Sequence, residues 1–415
     1  MNSPPDTYFR KGFGLGAEVQ EDLATDYAGR VVDFLRERDY TLQVSDVTIR
    51  LAHEFGFCYG VERAVDYAYQ TRRKFPDRQI FLLGEIIHNP HVNERLRAMG
   101  ITILEPSDST REGGARFDYG IVQASDVVIL PAFGVTIGDF EALRSLGCVV
   151  VDTTCGSVLN VWKRVDSYAR DGFTALIHGK HYHEETRATA SQVLRFAGGQ
   201  YLVVRDMGEA RDVCAFIAHL GADRVSADER AAFLARFAPA AGPGFDPVVH
   251  LRRIGVANQT TMLARESLAI GEEVGRAMEA AFGSEYRAAN FRTFDTICSA
   301  TQDRQDAVNA LLREPLDAMV VIGGFNSSNT ISLAAICAEH VPTFHIEDAG
   351  NIDPLASAIH YREAGVKHVE RDAQQWLRAT GPVRVGITAG ASTPNNRIGE
   401  TVVRVLATRG LTLDV

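Results

Sequence analysis

Short apolar, β-branched runs recur along the chain: VTIRLA, QIFLLG, DVVILP, CVVVD, TALIHG, YLVV, IGVAN, DAMVVIGG, TFHIE and VRVGITAG. Each ends in a polar turn, and most are followed by a segment with apolar positions three and four apart. Strand then amphipathic helix, repeated, is the rhythm of parallel sheets covered by helices. In such sheets ligands collect at the carboxyl ends of the strands, where loops run into helix N-termini. Two stretches break the rhythm. Residues 1–46 carry an acidic amphipathic helix pattern and read as an appended extension; residues 220–250 hold one short helix pattern and then an Ala, Gly and Pro stretch, which reads as an insertion or linker.

One repetition is chemically suggestive. VTIRLAHEFGFCYGVERAVDYA, CVVVDTTCGSVLNVWKRV and FRTFDTICSATQDRQDAV each read apolar strand, turn, cysteine, helix, which places Cys58, Cys155 and Cys298 in the same local context. The other three cysteines, Cys148, Cys214 and Cys337, fall inside apolar patterns. A helix N-terminus favours a thiolate. Three thiolates could hold zinc or an iron-sulfur cluster, or be unrelated. Local C-x-x-C knuckles are absent, and separations of 97 and 143 residues suit a large cofactor better than a structural zinc. With only three cysteines on a [4Fe-4S] cluster, one iron stays open.

Polar groups gather in the same strand-to-helix context: His88 in GEIIHNPHV; His178, His181, His183, Glu184 and Glu185 in IHGKHYHEE; Gln259, Thr260 and Thr261 in NQTT; Asn326, Ser327, Ser328 and Asn329 in FNSSNT; and Ser392 in TAGAS. Singly, Ser, Thr and Asn here are ordinary helix caps. Together with helix N–H groups they make an anion site for a phosphate or diphosphate. No G-x-x-x-x-G-K-[ST] loop and no G-x-G-x-x-G after a strand is present, so neither nucleotide hydrolysis nor a bound nicotinamide is inferred.

Composition narrows the partners. The 415 residues are 46% apolar and 23% charged, enough for several folded domains. The net charge of −10, without basic blocks interleaved with aromatics, argues against a nucleic-acid face or a polybasic membrane patch. No apolar run is long enough to span a membrane. Sparse cysteines fit a reducing compartment, and eight acidic residues from Asp6 to Asp39 do not fit a transit peptide, so bacterial cytoplasm is expected.

Taken together, GFCYGVERA, GEIIHNPHV, VDTTCGSV, HEETRATAS, NQTT, DTICSATQDRQDAV, FNSSNT and TAGAS resemble the 4-hydroxy-3-methylbut-2-enyl diphosphate reductases (IspH, or LytB), in that family's order from about residue 47 to 405. The resemblance implies three α/β domains in pseudo-threefold arrangement around a [4Fe-4S] cluster: an extension over 1–46, then 47–155, with the strand in 47–58 assignable to the third domain instead, then 156–297 with the 220–250 insertion, and 298–415. It implies Cys58, Cys155 and Cys298 as cluster ligands with one open iron, to which the substrate's allylic hydroxyl binds. Two electrons and two protons then remove that hydroxyl as water, giving isopentenyl and dimethylallyl diphosphate. Glu185 matches the proton-delivering residue and Thr260 the one that orients it. His88, His183, Ser327, Ser328, Asn329 and Ser392 match groups around the substrate and its diphosphate. A ferredoxin or flavodoxin is the implied electron donor.

Three departures stand out. LPAFGVT has Phe133 where many bacterial members carry a histidine, as in the plant and cyanobacterial type; Gly156 follows Cys155 where proline is common; and the extension and insertion lengthen the chain. A quinolinate-synthase-like open-iron dehydratase, a non-enzymatic iron-sulfur sensor and a structural zinc protein are the competing readings.

Overall fold

The computed structural model describes residues 7–107, 116–294, 296–365 and 369–415. Asp295 of the DTICS segment and the first six residues of the extension, Asp6 among them, lie outside these. The chain divides into two compact units. The first takes residues 1–10, 77–84 and 102–298, and the second takes 11–76, 85–101 and 299–415. The α/β class expected from the rhythm is what forms, with three separate sheets, one of them mixed.

The first unit holds two of them. One orders its strands Tyr8–Phe9, Val149–Asp152, Val127–Leu130, Ile80–Leu83 and Ile101–Leu104. The other runs Phe291–Thr293, Ile254–Asn258, Thr174–His178 and Tyr201–Val204, all parallel. The strands VVIL, VVVD, TALIH and IGVAN are buried at every position. Helices cover both faces of such a sheet, so continuous apolar runs replace alternation.

The 220–250 stretch is not a linker. Helix Ala227–Phe237 starts on a capping box between Ser226 and Glu229, and Phe233, Phe237, Ala240 and Phe245 join the core of the second sheet. Apolar residues spaced widely among Ala, Gly and Pro hid this packing.

The second unit is built on one mixed sheet. Its parallel centre runs Thr343–Ile346, Ala318–Ile322, Val383–Ala389 and Val47–Leu51. Antiparallel strands flank it, Thr41–Val44 on one side and Ala358–Arg362 with Ile352–Asp353 and Glu370–Gln374 on the other. The acidic amino-terminal pattern is split into two helices, Gly16–Tyr27 and Arg30–Arg36, rather than one. The break is at Gly29, where a Cβ would meet the carbonyl oxygen of Asn395 at 2.5 Å. Val32 and Leu35 of the second helix are fully buried in this unit's core, so these residues are part of the fold and not an appendage.

Candidate active site

Cys58 and Cys155 are the N-caps of helices Tyr59–Lys74 and Gly156–Arg170, and Cys298 immediately precedes helix Ser299–Leu311. Neither Cys58 nor Cys155 spends its side chain on capping its helix. All three are half-buried, whereas Cys148, Cys214 and Cys337 are buried. Burial raises the Cys148 thiol, lifts that of Cys214 to about 11 and that of Cys337 to about 12. A thiol held protonated is a poor ligand. Cys58, Cys155 and Cys298, each at a helix start and none so deeply buried, are the cysteines whose chemistry suits metal ligation.

In the first unit, Glu185 lies in the first turn of helix Glu184–Val193 and is 1% exposed. Its Oε1 accepts the backbone N–H of Thr260 at 2.6 Å, and the Thr260 carbonyl accepts the N–H of Cys298 at 3.4 Å. His183 caps the same helix, its Nδ1 accepting the N–H of Glu185 at 3.2 Å, which leaves the ring proton on Nε2. Phe133 meets the His183 ring edge to face at 5.7 Å between centroids, and the neighbouring Ala132 carbonyl accepts the N–H of Cys155 at 2.9 Å. Cys155, His183, Glu185, Thr260 and Cys298 thus form one connected set. Phe133 thus packs an apolar ring on His183.

Gln259 is the hub beneath this set. Its Oε1 accepts from the Lys180 N–H and the Thr186 hydroxyl, both at 3.0 Å, and its Nε2 donates to Thr261 at 2.9 Å. Its own N–H donates to the carbonyl of His178. Burial pushes His178 down to about 4, so the ring is neutral, and its Nδ1 pairs with Ser267 at 2.8 Å. His178 is thereby a core histidine. Thr296, whose hydroxyl is bound to both backbone groups of Asn258, anchors the loop that leads to Cys298.

In the second unit the loop Gly390–Ser392 is the junction. The Ala391 carbonyl accepts the N–H of Cys58 at 3.2 Å, its N–H donates to Asn329 Oδ1 at 2.9 Å, and the Ser392 hydroxyl donates to the His88 carbonyl at 3.1 Å. Ser327 caps helix Ser328–Ala338, and Ser327, Ser328 and Asn329 are all buried. Asn329 Nδ2 is a buried donor with no partner among the described residues. Nδ1 of His88 donates to Glu85 at 2.8 Å. Close approach is bought with glycine: a Cβ on Gly324 would stand 2.6 Å from the His88 carbonyl oxygen, and one on Gly390 2.0 Å from the Thr330 hydroxyl. A buried helix start with an unpaired amide donor has the chemistry to receive an anion.

Arg304 and the backbone of Gly390–Ala391 were not singled out by sequence. A charged residue in the helix after Cys298 was the available signal for the first; no side-chain pattern marks the second.

The sequence profile of the LytB protein family matches residues 49–406. Similar proteins include the 4-hydroxy-3-methylbut-2-enyl diphosphate reductases of Gloeobacter violaceus, 48% identical over 97% of this chain and 93% of that one, and of Thermosynechococcus vestitus, 45% identical over 98% and 96%. The solved structure of the E-1-hydroxy-2-methyl-but-2-enyl-4-diphosphate reductase from Plasmodium falciparum covers 86% of this chain and 87% of its own, with a TM-score of 0.60 at 19% identity, a likeness of fold. A family profile that spans most of the residues, joined by relatives of this identity along nearly the whole length, establishes that the chain belongs to the LytB protein family.

Proposed function

We propose that the chain is a 4-hydroxy-3-methylbut-2-enyl diphosphate reductase, an oxidoreductase that takes its substrate, two electrons and two protons to isopentenyl or dimethylallyl diphosphate and water. The observation that carries this reading is the buried Glu185 carboxyl fixed by the Thr260 N–H, with Cys298 on the other side of the same peptide unit's neighbour. Family membership disfavours the quinolinate-synthase-like, sensor and zinc alternatives.

Cys58, Cys155 and Cys298 would hold a [4Fe-4S] cluster, which when bound supplies electrons and a Lewis-acidic iron for the departing hydroxyl. The chain's own residues do the rest. Ser327, Ser328 and Asn329 at their helix start, with Ser392 and His88, bind the diphosphate through N–H, hydroxyl and amide donors. Glu185 supplies the proton that turns hydroxide, a poor leaving group, into water. Oε1 already receives the Thr260 N–H, so Oε2 is the atom assigned to deliver the proton. His183 is oriented by Phe133 and by its cap bond, and lines the substrate side of the same helix start.

No helix among the described residues is long and apolar enough to cross a membrane. We place the protein in the bacterial cytoplasm, with a ferredoxin or flavodoxin as electron donor. The deciding experiment measures iron, sulfide and zinc on protein purified without oxygen, then adds the hydroxymethylbutenyl diphosphate and a chemical reductant. About four irons per chain with conversion to the five-carbon products is expected. Zinc in place of iron, or four irons without conversion, overturns the reading.

A further inference from the structure

Arg304 brings a guanidinium into the interior of the second unit, where it is 3% exposed. Nη1 donates to the Ala300 carbonyl at 2.8 Å and Nη2 to the Gly56 carbonyl at 2.6 Å, while Nε has no hydrogen-bond partner among the described residues. No carboxylate among those residues pairs with it either. A buried cation without a counter-charge is strongly unfavourable, and buried charges are as a rule paired or set against a bound ion. The carbonyl it grips belongs to the turn that delivers Cys58: Gly56 has φ +72°, and a Cβ there would come within 3.2 Å of the Thr393 carbonyl oxygen. The helix that carries Arg304 begins one residue after Cys298.

We propose that Arg304 is the counter-charge of the thiolate-bound cluster and the positioning residue for the Cys58 turn. The proposal rests on the reading that Cys58, Cys155 and Cys298 hold a [4Fe-4S] cluster. Three thiolates carry three negative charges, and each electron that enters adds another. A fixed cation nearby stabilises the reduced form over the oxidised one and so raises the reduction potential. The two N–H···O bonds meanwhile hold the turn in the shape that presents the sulfur.

The test is a redox titration of the cluster in anaerobic wild-type, Arg304→Gln and Arg304→Lys proteins, with iron loss to a chelator and the melting temperature of each protein followed in parallel. Arg304→Gln is expected to shift the reduction equilibrium at least tenfold toward the oxidised form, a midpoint lower by about 59 mV for one electron. Arg304→Lys keeps the charge but not the fork, so its midpoint stays near wild type while iron is lost faster. Should Arg304→Gln not fold, the lysine variant carries the test: iron loss at the wild-type rate, or a midpoint that drops, overturns the proposal. An Arg304→Gln midpoint equal to wild type also overturns it, with the reading of the cysteines intact. Wild-type protein that binds no iron overturns both.

Discussion

Oε1 of Glu185 accepts the backbone N–H of Thr260 across 75 positions of sequence. The bond ties the first turn of a helix that follows one strand to the tip of the next strand in the same sheet, Thr174–His178 beside Ile254–Asn258. A main-chain donor has no rotamer to change, so the carboxyl is aimed by the fold itself.

Replacing Glu185 by Gln therefore separates aim from acidity. The Gln carbonyl still meets the Thr260 N–H, but the amide yields no proton. Turnover is expected to fall about 10²- to 10⁴-fold, with iron content and melting temperature unchanged. Near-normal turnover would remove Glu185 from proton delivery.

Asn329→Ala deletes a buried, unpartnered donor at the proposed diphosphate cradle and the acceptor for the Ala391 N–H. A hydrogen bond to a charged group is worth about 1.5–3 kcal/mol, so affinity for the substrate should weaken by roughly 10- to 100-fold. Isothermal titration with inorganic diphosphate reads this without the reaction; unchanged affinity would place the anion elsewhere.

The six cysteines should sort by their surroundings. Cys58→Ser, Cys155→Ser or Cys298→Ser should each lower bound iron, whereas Cys337→Ala, which removes a thiol that burial lifts to about 12, should keep it. Iron analysis after anaerobic purification checks this; an iron-free Cys337→Ala protein with an intact fold would break the division.

Two buried histidines make stability sensitive to acid. Burial holds both His178 and His345 down at about 4, against about 6.5 in an unfolded chain. Below pH 6.5 the unfolded state binds more protons, so the stability is fully present above that value and drains away as pH falls toward 4, by on the order of 3 kcal/mol per ring. Urea midpoints at about pH 7.5 and about pH 5 should show the loss. His345→Gln, which can still donate to the Gly323 carbonyl, should flatten it. An equal loss in that variant would assign the acid sensitivity to other groups.

What the sequence disclosed was whatever is encoded locally. Continuous apolar runs such as VVVD and IGVAN announce doubly covered strands, and a cysteine between strand and helix announces a cap position. Pairings between distant segments leave no such trace. Tyr8–Phe9 finds Val150 and Val151 across more than a hundred residues, and polar ERDAQ becomes an exposed edge strand only because Ala358–Arg362 is there to receive it. The break between the two amino-terminal helices falls at Gly29, where the approach of Asn395 leaves no room for a Cβ, a contact that periodicity does not carry. Within the candidate site the titratable residues were legible, while the carbonyls of Ala132, Thr260 and Ala391 that receive the cysteine N–H groups were not, since any residue type supplies a carbonyl.

The strand Val47–Leu51 hydrogen-bonds to Val383–Ala389, so the sheet beneath the Cys58 turn closes only after the ribosome has made more than three hundred further residues. Cys58 reaches its folded setting late, whereas the strands around Cys155 and Glu185 can pair much earlier in synthesis. Assembly of any group that needs all three sulfurs must then wait for Val383–Ala389 to be made, and a truncated product lacking that strand would leave the ribosome with Cys155 in place and no proper seat for Cys58.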